Sequence, residues 1–150
     1  MSATADVRAL IGALDAELAQ HYEPEQRHGL ALDVLFQPPM RFFLARRAGR
    51  AVGCGGAALF PGFAEVKRMY VVPAARGQGV AEAIIAHLTK EAAAAGLSLL
   101  RLETGVKQHA AMRFYERCGF MPCAAFEPYA SMVDSAILTS VFLEKHITSG

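Results

Sequence analysis

Between residues 65 and 104 the chain reads as a strand, then a helix, then a strand. EVKRMYVV (65–72) is rich in β-branched and aromatic residues. After the turn PAARGQG, the apolar residues Val80, Ile84, Leu88, Ala92 and Ala95 recur at helical spacing, and Gly96 stands where a C-terminal cap belongs. LSLLRLET (97–104) is apolar and β-prone again. Two strands joined through a helix lie parallel in one sheet, with a right-handed crossover. Any fold for this chain must therefore contain a βαβ unit at its centre.

The flanks predict a different pairing. RFFLARR (41–47), a turn at 48–50 and the glycine-rich 51–60 read as a β-hairpin, which PGF turns back into the strand at 65–72. Ahead of them Val7, Leu10, Ile11, Leu14 and Leu18 form a helical stripe, and a short second helix is expected around 25–35. QHAAMRFYERCGF (108–120) predicts a short helix with Ala111, Tyr115 and Cys118 on one side and Gly119 as its stop. AILTSVFLEK (136–145) predicts a last strand. The expected class is mixed α+β: a mostly antiparallel sheet with one parallel crossover and flanking helices.

With 150 residues, 53% of them hydrophobic and 19% charged, the chain can bury one core, and a single domain over 1–150 is expected. Fifteen basic and 14 acidic residues leave a net charge of +1 without a basic tract, which argues against nucleic-acid or membrane-surface binding. The longest uncharged run, 51–64, contains Pro61 and is shorter than the ~18 residues of a spanning helix. Cys54, Cys118 and Cys123 form no CxxC, and the five histidines show no metal-ligand spacing with them. The expectation is a cytoplasmic protein with reduced cysteines and no metal.

The turn before the central helix carries the chemistry. A helix N-terminus leaves backbone N–H groups without partners, and its dipole favours negative charge. Glycines let a ligand approach that backbone, and Arg76 adds a positive charge suited to phosphate. Arg76, Gly77, Gln78, Gly79, Val80 and Ala81 thus form a candidate anion cradle. An ordinary tight turn with a solvated arginine is the alternative. A P-loop would need GK[ST], which GQGVAE lacks. A Rossmann fingerprint would need Gly or Ala where Glu82 stands, and antiparallel strands would not precede it.

VKRMYVVPAARGQGVAEAIIAHL resembles the coenzyme A-binding motif of the GNAT superfamily of N-acetyltransferases, Q/R-x-x-G-x-G/A, at Arg76 to Ala81. Here the arginine directly precedes the first glycine, and Pro73 or Ala74 takes the Q/R place. KQHAAMRFYERCGF is similar to the family's N-x-x-A-x-x-x-Y-x-x-x-G-F segment, with Gln108 in the Asn place and Ala111, Tyr115, Gly119 and Phe120 matching. LRLETG is similar to the strand between the two motifs in small bacterial members. The family's usual opening strand is expected to be missing, since the chain starts with its helix.

The resemblance implies acetyl-CoA as co-substrate and transfer of its acetyl group to a primary amine of a small molecule or peptide. It implies that the strand at 66–72 splays from its parallel neighbour and binds the pantetheine arm like an added strand through Met69, Tyr70 and Val71, with a backbone N–H as oxyanion donor. Such a donor is worth ~3 kcal/mol. Gln108 would contact the same arm. Tyr115 becomes the general acid, since a phenol of pKa ~10 is protonated at neutral pH. Glu65, or else Glu103, becomes the base that takes the amine's proton, though a small neutral fraction of the amine could also react without one.

Tyr22, Phe36, Phe126 and Tyr129 are candidates to line the acceptor pocket, entered past 21–39 and 126–132. A homodimer through an exposed last strand is expected. Two other classes stay open at this point: a non-catalytic acyl-CoA sensor, and a structural module with an incidental glycine turn.

Overall fold

The computed structural model describes residues 5–19, 40–127 and 129–148. Helix α1 (Ala5–Ala19) is the first described element. It buries Leu10 and Ile11 against Met40, Phe42, Cys54 and Ala58. The expected helix at 25–35, with Tyr22 and Phe36, lies outside the described residues.

Strands β1 (Met40–Arg47), β2 (Arg50–Phe60) and β3 (Phe63–Val71) form the antiparallel half. Each connection has two residues: Ala48–Gly49, both at positive φ, and Pro61–Gly62, where proline presets one turn residue and Gly62 takes the positive φ. Helix α2 (Val80–Ala94) then crosses over to β4 (Leu99–Gly105), which runs parallel to β3. Gly96 N–H bonds Ala93 O, and Leu97 N–H bonds Ala92 O, so the helix stops where its glycine does.

Helix α3 (His109–Arg117) leads to β5 (Met121–Pro122), a helical turn α4 (Asp134–Ile137) and β6 (Ser140–His146). Among the described residues the sheet order is β1-β2-β3-β4-β6-β5. The mixed, mostly antiparallel sheet with its crossover is the class expected from sequence.

The core lies between α2 and the sheet. Leu88, Ile84 and Ile85 pack against Ala57, Ala64, Val66, Leu100 and Leu102. Fully burying a leucine such as Leu88 contributes about 2 kcal/mol. The glycines of β2 make that contact close. A Cβ on Gly55 would stand 2.6 Å from both Ile84 Cγ2 and Met69 Sδ.

Two expectations need correction at the C-terminal end. The strand expected over 136–145 begins only at Ser140. The acidic Asp134 sits in the first turn, where the helix dipole favours it, and 134–137 coil into α4, leaving Leu138 76% exposed. Nor is β6 the free edge expected to pair with a second copy: β5 lies outside it, opposite Leu143 and Glu144. Among the described residues no helix is long and apolar enough to cross a membrane.

Candidate active site

The parallel pairing of β3 with β4 is short. It joins Ala64 to Leu100, Glu65 to Arg101 and Val66 to Leu102, and stops there, although β3 continues to Val71 and β4 to Gly105. A bulge bends β3 beyond this point. Cys54 faces Tyr70 and Gly56 faces Lys67, so Arg68 and Met69 together oppose Gly55, with Arg68 at φ +56°. The strands part as the resemblance implied, and a cleft of about 540 Å³ opens, walled by both of them, by the first turn of α2 and by α3. Met69, Tyr70 and Val71 all line it.

The glycine turn borders the same cleft. Gly77 and Gly79 adopt φ +76° and +85°, a region that favours glycine, and Gly79 caps α2 without any side-chain hydrogen bond. Val80, Ala81 and Glu82 have no carbonyl four residues back inside the helix, so their N–H groups are the donors a cradle would use. Arg76, Gly77, Gly79, Val80 and Ala81 reach the cleft wall; Gln78 does not figure there. Its amide donates to Ala74 O at 3.2 Å and its side-chain oxygen accepts from Arg47, a second cation at the turn. Arg76 is also occupied. It donates to Val71 O at 2.9 Å, pairs with Glu17 of α1 at 3.1 Å and lies over the Tyr70 ring at 5.4 Å.

Tyr115 is held by the end of its own helix. Gly119, at φ +98°, lets the Phe120 N–H reach back to Tyr115 O at 3.0 Å and the Gly119 N–H to Glu116 O. The closure sets the Phe120 ring against Tyr115 at 5.5 Å. Tyr115 is 7% exposed, lines the cleft, and its hydroxyl has no hydrogen-bond partner among the described residues. Burial pushes its phenol well above the usual tyrosine range, so it stays a neutral donor. Gln108, just before α3, accepts from Thr104 Oγ1 at 2.8 Å and also lines the cleft.

Glu65 sits on β3 inside the last stretch of parallel pairing, 2% exposed. Its Oε2 accepts from the Tyr129 hydroxyl at 2.5 Å and from Lys67 Nζ at 3.3 Å. Lys67 also donates to the Tyr129 oxygen at 2.9 Å. Burial, then the charge and hydrogen bond of Glu65, push the Tyr129 phenol far up. Glu103 lines the cleft as well and accepts from Ser140 Oγ at 2.6 Å. Tyr129 is thus tied to a carboxylate of the cleft, more than the plain pocket lining expected of it. Phe126 stands off the cleft, packed edge to face with Phe63, Tyr129 and Phe142.

Lys67, Arg47 and the Glu17 partner of Arg76 were not singled out from sequence. Only Lys67 had a legible signal, its place two residues from Glu65 on one strand face. Among the described residues no cluster of His, Cys, Asp or Glu could hold a metal ion.

Known proteins are similar to this chain along most of its length. The model of the acetyltransferase (GNAT) family matches residues 10–120. An IAA acetyltransferase of Azospirillum brasilense is 44% identical over 122 residues, 80% of each chain. A solved structure from Klebsiella pneumoniae, assigned as an acyl-CoA N-acyltransferase, is 39% identical with a TM-score of 0.79, covering 95% of this chain and 90% of that one. A Mycobacterium tuberculosis structure in complex with CoA shares the fold at 20% identity, with a TM-score of 0.72 over 97% and 96% of the chains.

Proposed function

The chain belongs to the acetyltransferase (GNAT) family and is an acyltransferase, and from that premise we propose that it moves the acetyl group of acetyl-CoA to a primary amine of a small molecule or peptide by direct attack on the thioester. The observation that carries this reading is the parting of β3 from β4 after Val66 and Leu102, with Glu65, Tyr115 and the first turn of α2 all on the wall of the resulting cleft.

The residues present fit acetyl-CoA. The pyrophosphate suits the N–H groups of Gly77, Gly79, Val80 and Ala81, with Arg76 and Arg47 supplying charge. Backbone groups of Met69, Tyr70 and Val71, released from β4 by the splay, suit the amides of the pantetheine arm, and Gln108 lies across the cleft from them. When bound, the coenzyme supplies an activated acyl carbon. Glu65 takes a proton from the incoming amine. Tyr115 offers its O–H to the leaving sulfur, and a backbone N–H at the β3 bulge offers a hydrogen bond to the carbonyl oxygen.

Titration calorimetry with acetyl-CoA tests the first half of this reading. Micromolar binding is expected, lost in Gly79→Val, whose β-branched side chain suits neither the positive φ nor the approach of a phosphate. A panel of IAA, α-amino acids, aminoethylphosphonate, putrescine and a tetrapeptide, read by release of the CoA thiol, tests the second half. IAA, included because of the 44% identical relative, carries no primary amine, so turnover on it and on none of the amines would overturn the amine reading. Binding without turnover on any compound of the panel would replace the enzyme reading of this cleft with an acyl-CoA sensor, and no binding at all would end both.

A further inference from the structure

Glu65, Lys67 and Tyr129 form a closed ring of polar contacts, and every contact to the carboxylate falls on the same oxygen. Tyr129 and Lys67 both donate to Oε2, and Lys67 donates to Tyr129. Oε1 takes no donor among the described residues, yet it is not a sealed, unsatisfied atom, so it is the oxygen that meets the cleft. The arrangement is stiff. Tyr129 is 2% exposed and wedged between Phe126 and Phe142 at 5.3 and 5.5 Å, at the start of a helical turn (Tyr129–Ser131). The Lys67 side chain is 11% exposed and leaves β3 on the same face as Glu65.

We propose that Tyr129 and Lys67 are positioning residues for Glu65: they occupy Oε2 and so present Oε1 to the acceptor amine. The inference rests on the reading of Glu65 as the base. In the step it serves, an ammonium proton passes to Oε1 and the freed nitrogen lone pair forms the C–N bond while the C–S bond breaks. The second nitrogen proton is lost as the sulfur gains one from Tyr115, which solvent re-protonates. Net, one amide, one thiol and one proton form. A neutral Tyr129 suits the role, since a phenolate would repel the carboxylate it steadies.

Among the described residues, Glu65 is faced by Lys67 on its own strand, Arg101 beside it on β4, Glu103 further along β4, and Tyr129. Removing a donor to Oε2 makes a proton on Glu65 easier to hold, so the acid limb of kcat/KM moves to higher pH.

The experiment measures kcat, KM and pH profiles at saturating acetyl-CoA for Glu65→Gln, Tyr129→Phe, Lys67→Met and Lys67→Arg, using whichever panel amine turns over fastest. Calorimetry with acetyl-CoA serves as the control for folding. The expected result is a fall in kcat of about tenfold or more for Tyr129→Phe and Lys67→Met, with acetyl-CoA affinity kept and the acid limb shifted upward. Lys67→Arg recovers most of the rate. Profiles that overlay the parent for both, while Glu65→Gln is inactive, overturn the positioning role and leave the base standing. A fully active Glu65→Gln overturns base and positioning together. Should Tyr129→Phe fail to fold, the contrast between Lys67→Met and Lys67→Arg decides alone.

Discussion

A buried hydroxyl is informative when nothing in the protein uses it. Tyr115 packs on Phe120 and Phe114 and lines the cleft, yet its hydroxyl has no hydrogen-bond partner among the described residues, whereas the Tyr129 oxygen is fully engaged. Tyr115→Phe keeps the packing and removes the donor. It is expected to lower kcat by roughly 10²-fold and leave acetyl-CoA affinity unchanged, which steady-state kinetics beside calorimetry would check. Cys54 makes a second residue-level case. Its thiol is pushed up to about 12, chiefly by burial, and donates to Arg68 O at 3.2 Å. It should resist alkylation at pH 8 in the folded protein, as peptide mapping after a brief iodoacetamide pulse would reveal.

Among the elements, β2 and α2 meet through the absence of side chains. Gly55→Val would drive atoms into Ile84 and Met69, and Ile84, buried in the core beside Leu88, has little room to yield. A loss of about 1–3 kcal/mol in a denaturant melt is expected. The stop of α3 is a subtler device. Gly119→Val meets only the Lys145 side chain in space, but its φ of +98° disfavours any β-branched residue. Loosening that turn should release Tyr115, so kcat falls further than acetyl-CoA affinity does. Equal falls in both would show that the turn supports the fold alone. Element types were largely readable because two-residue and 3.6-residue periods differ plainly over eight or more residues. The failure at 136–139 came where a short apolar run carries neither period, and the acidic Asp134 favoured a helical turn.

The whole molecule couples its cleft to its stability. A ligand at a hundred times its Kd adds about 2.7 kcal/mol. For a chain of this size that is a rise in Tm of roughly 5–10 °C, and a thermal shift with acetyl-CoA but not with free acetate would show it. Alkaline pH works the other way. Tyr115 and Tyr129 both hold their protons above the unfolded value of about 10, so the folded state binds more protons there and stability falls as pH rises past that point. Melting curves from pH 8 to 11 should show a decline that Tyr115→Phe reduces.

By itself the sequence determined what local patterns can encode: the βαβ crossover, the glycine turn ahead of α2, the Tyr115-to-Phe120 helix stop and the placing of Glu65 on the central strand. Each depends on residues within one element or one turn of each other. Tertiary structure alone decided that Tyr129 reaches Glu65 from 64 positions away and that Arg76 meets Glu17 across 59. It also decided that β5 lies outside β6. Such partners are chosen by how packed layers bring distant side chains together, and no period along the chain records that choice.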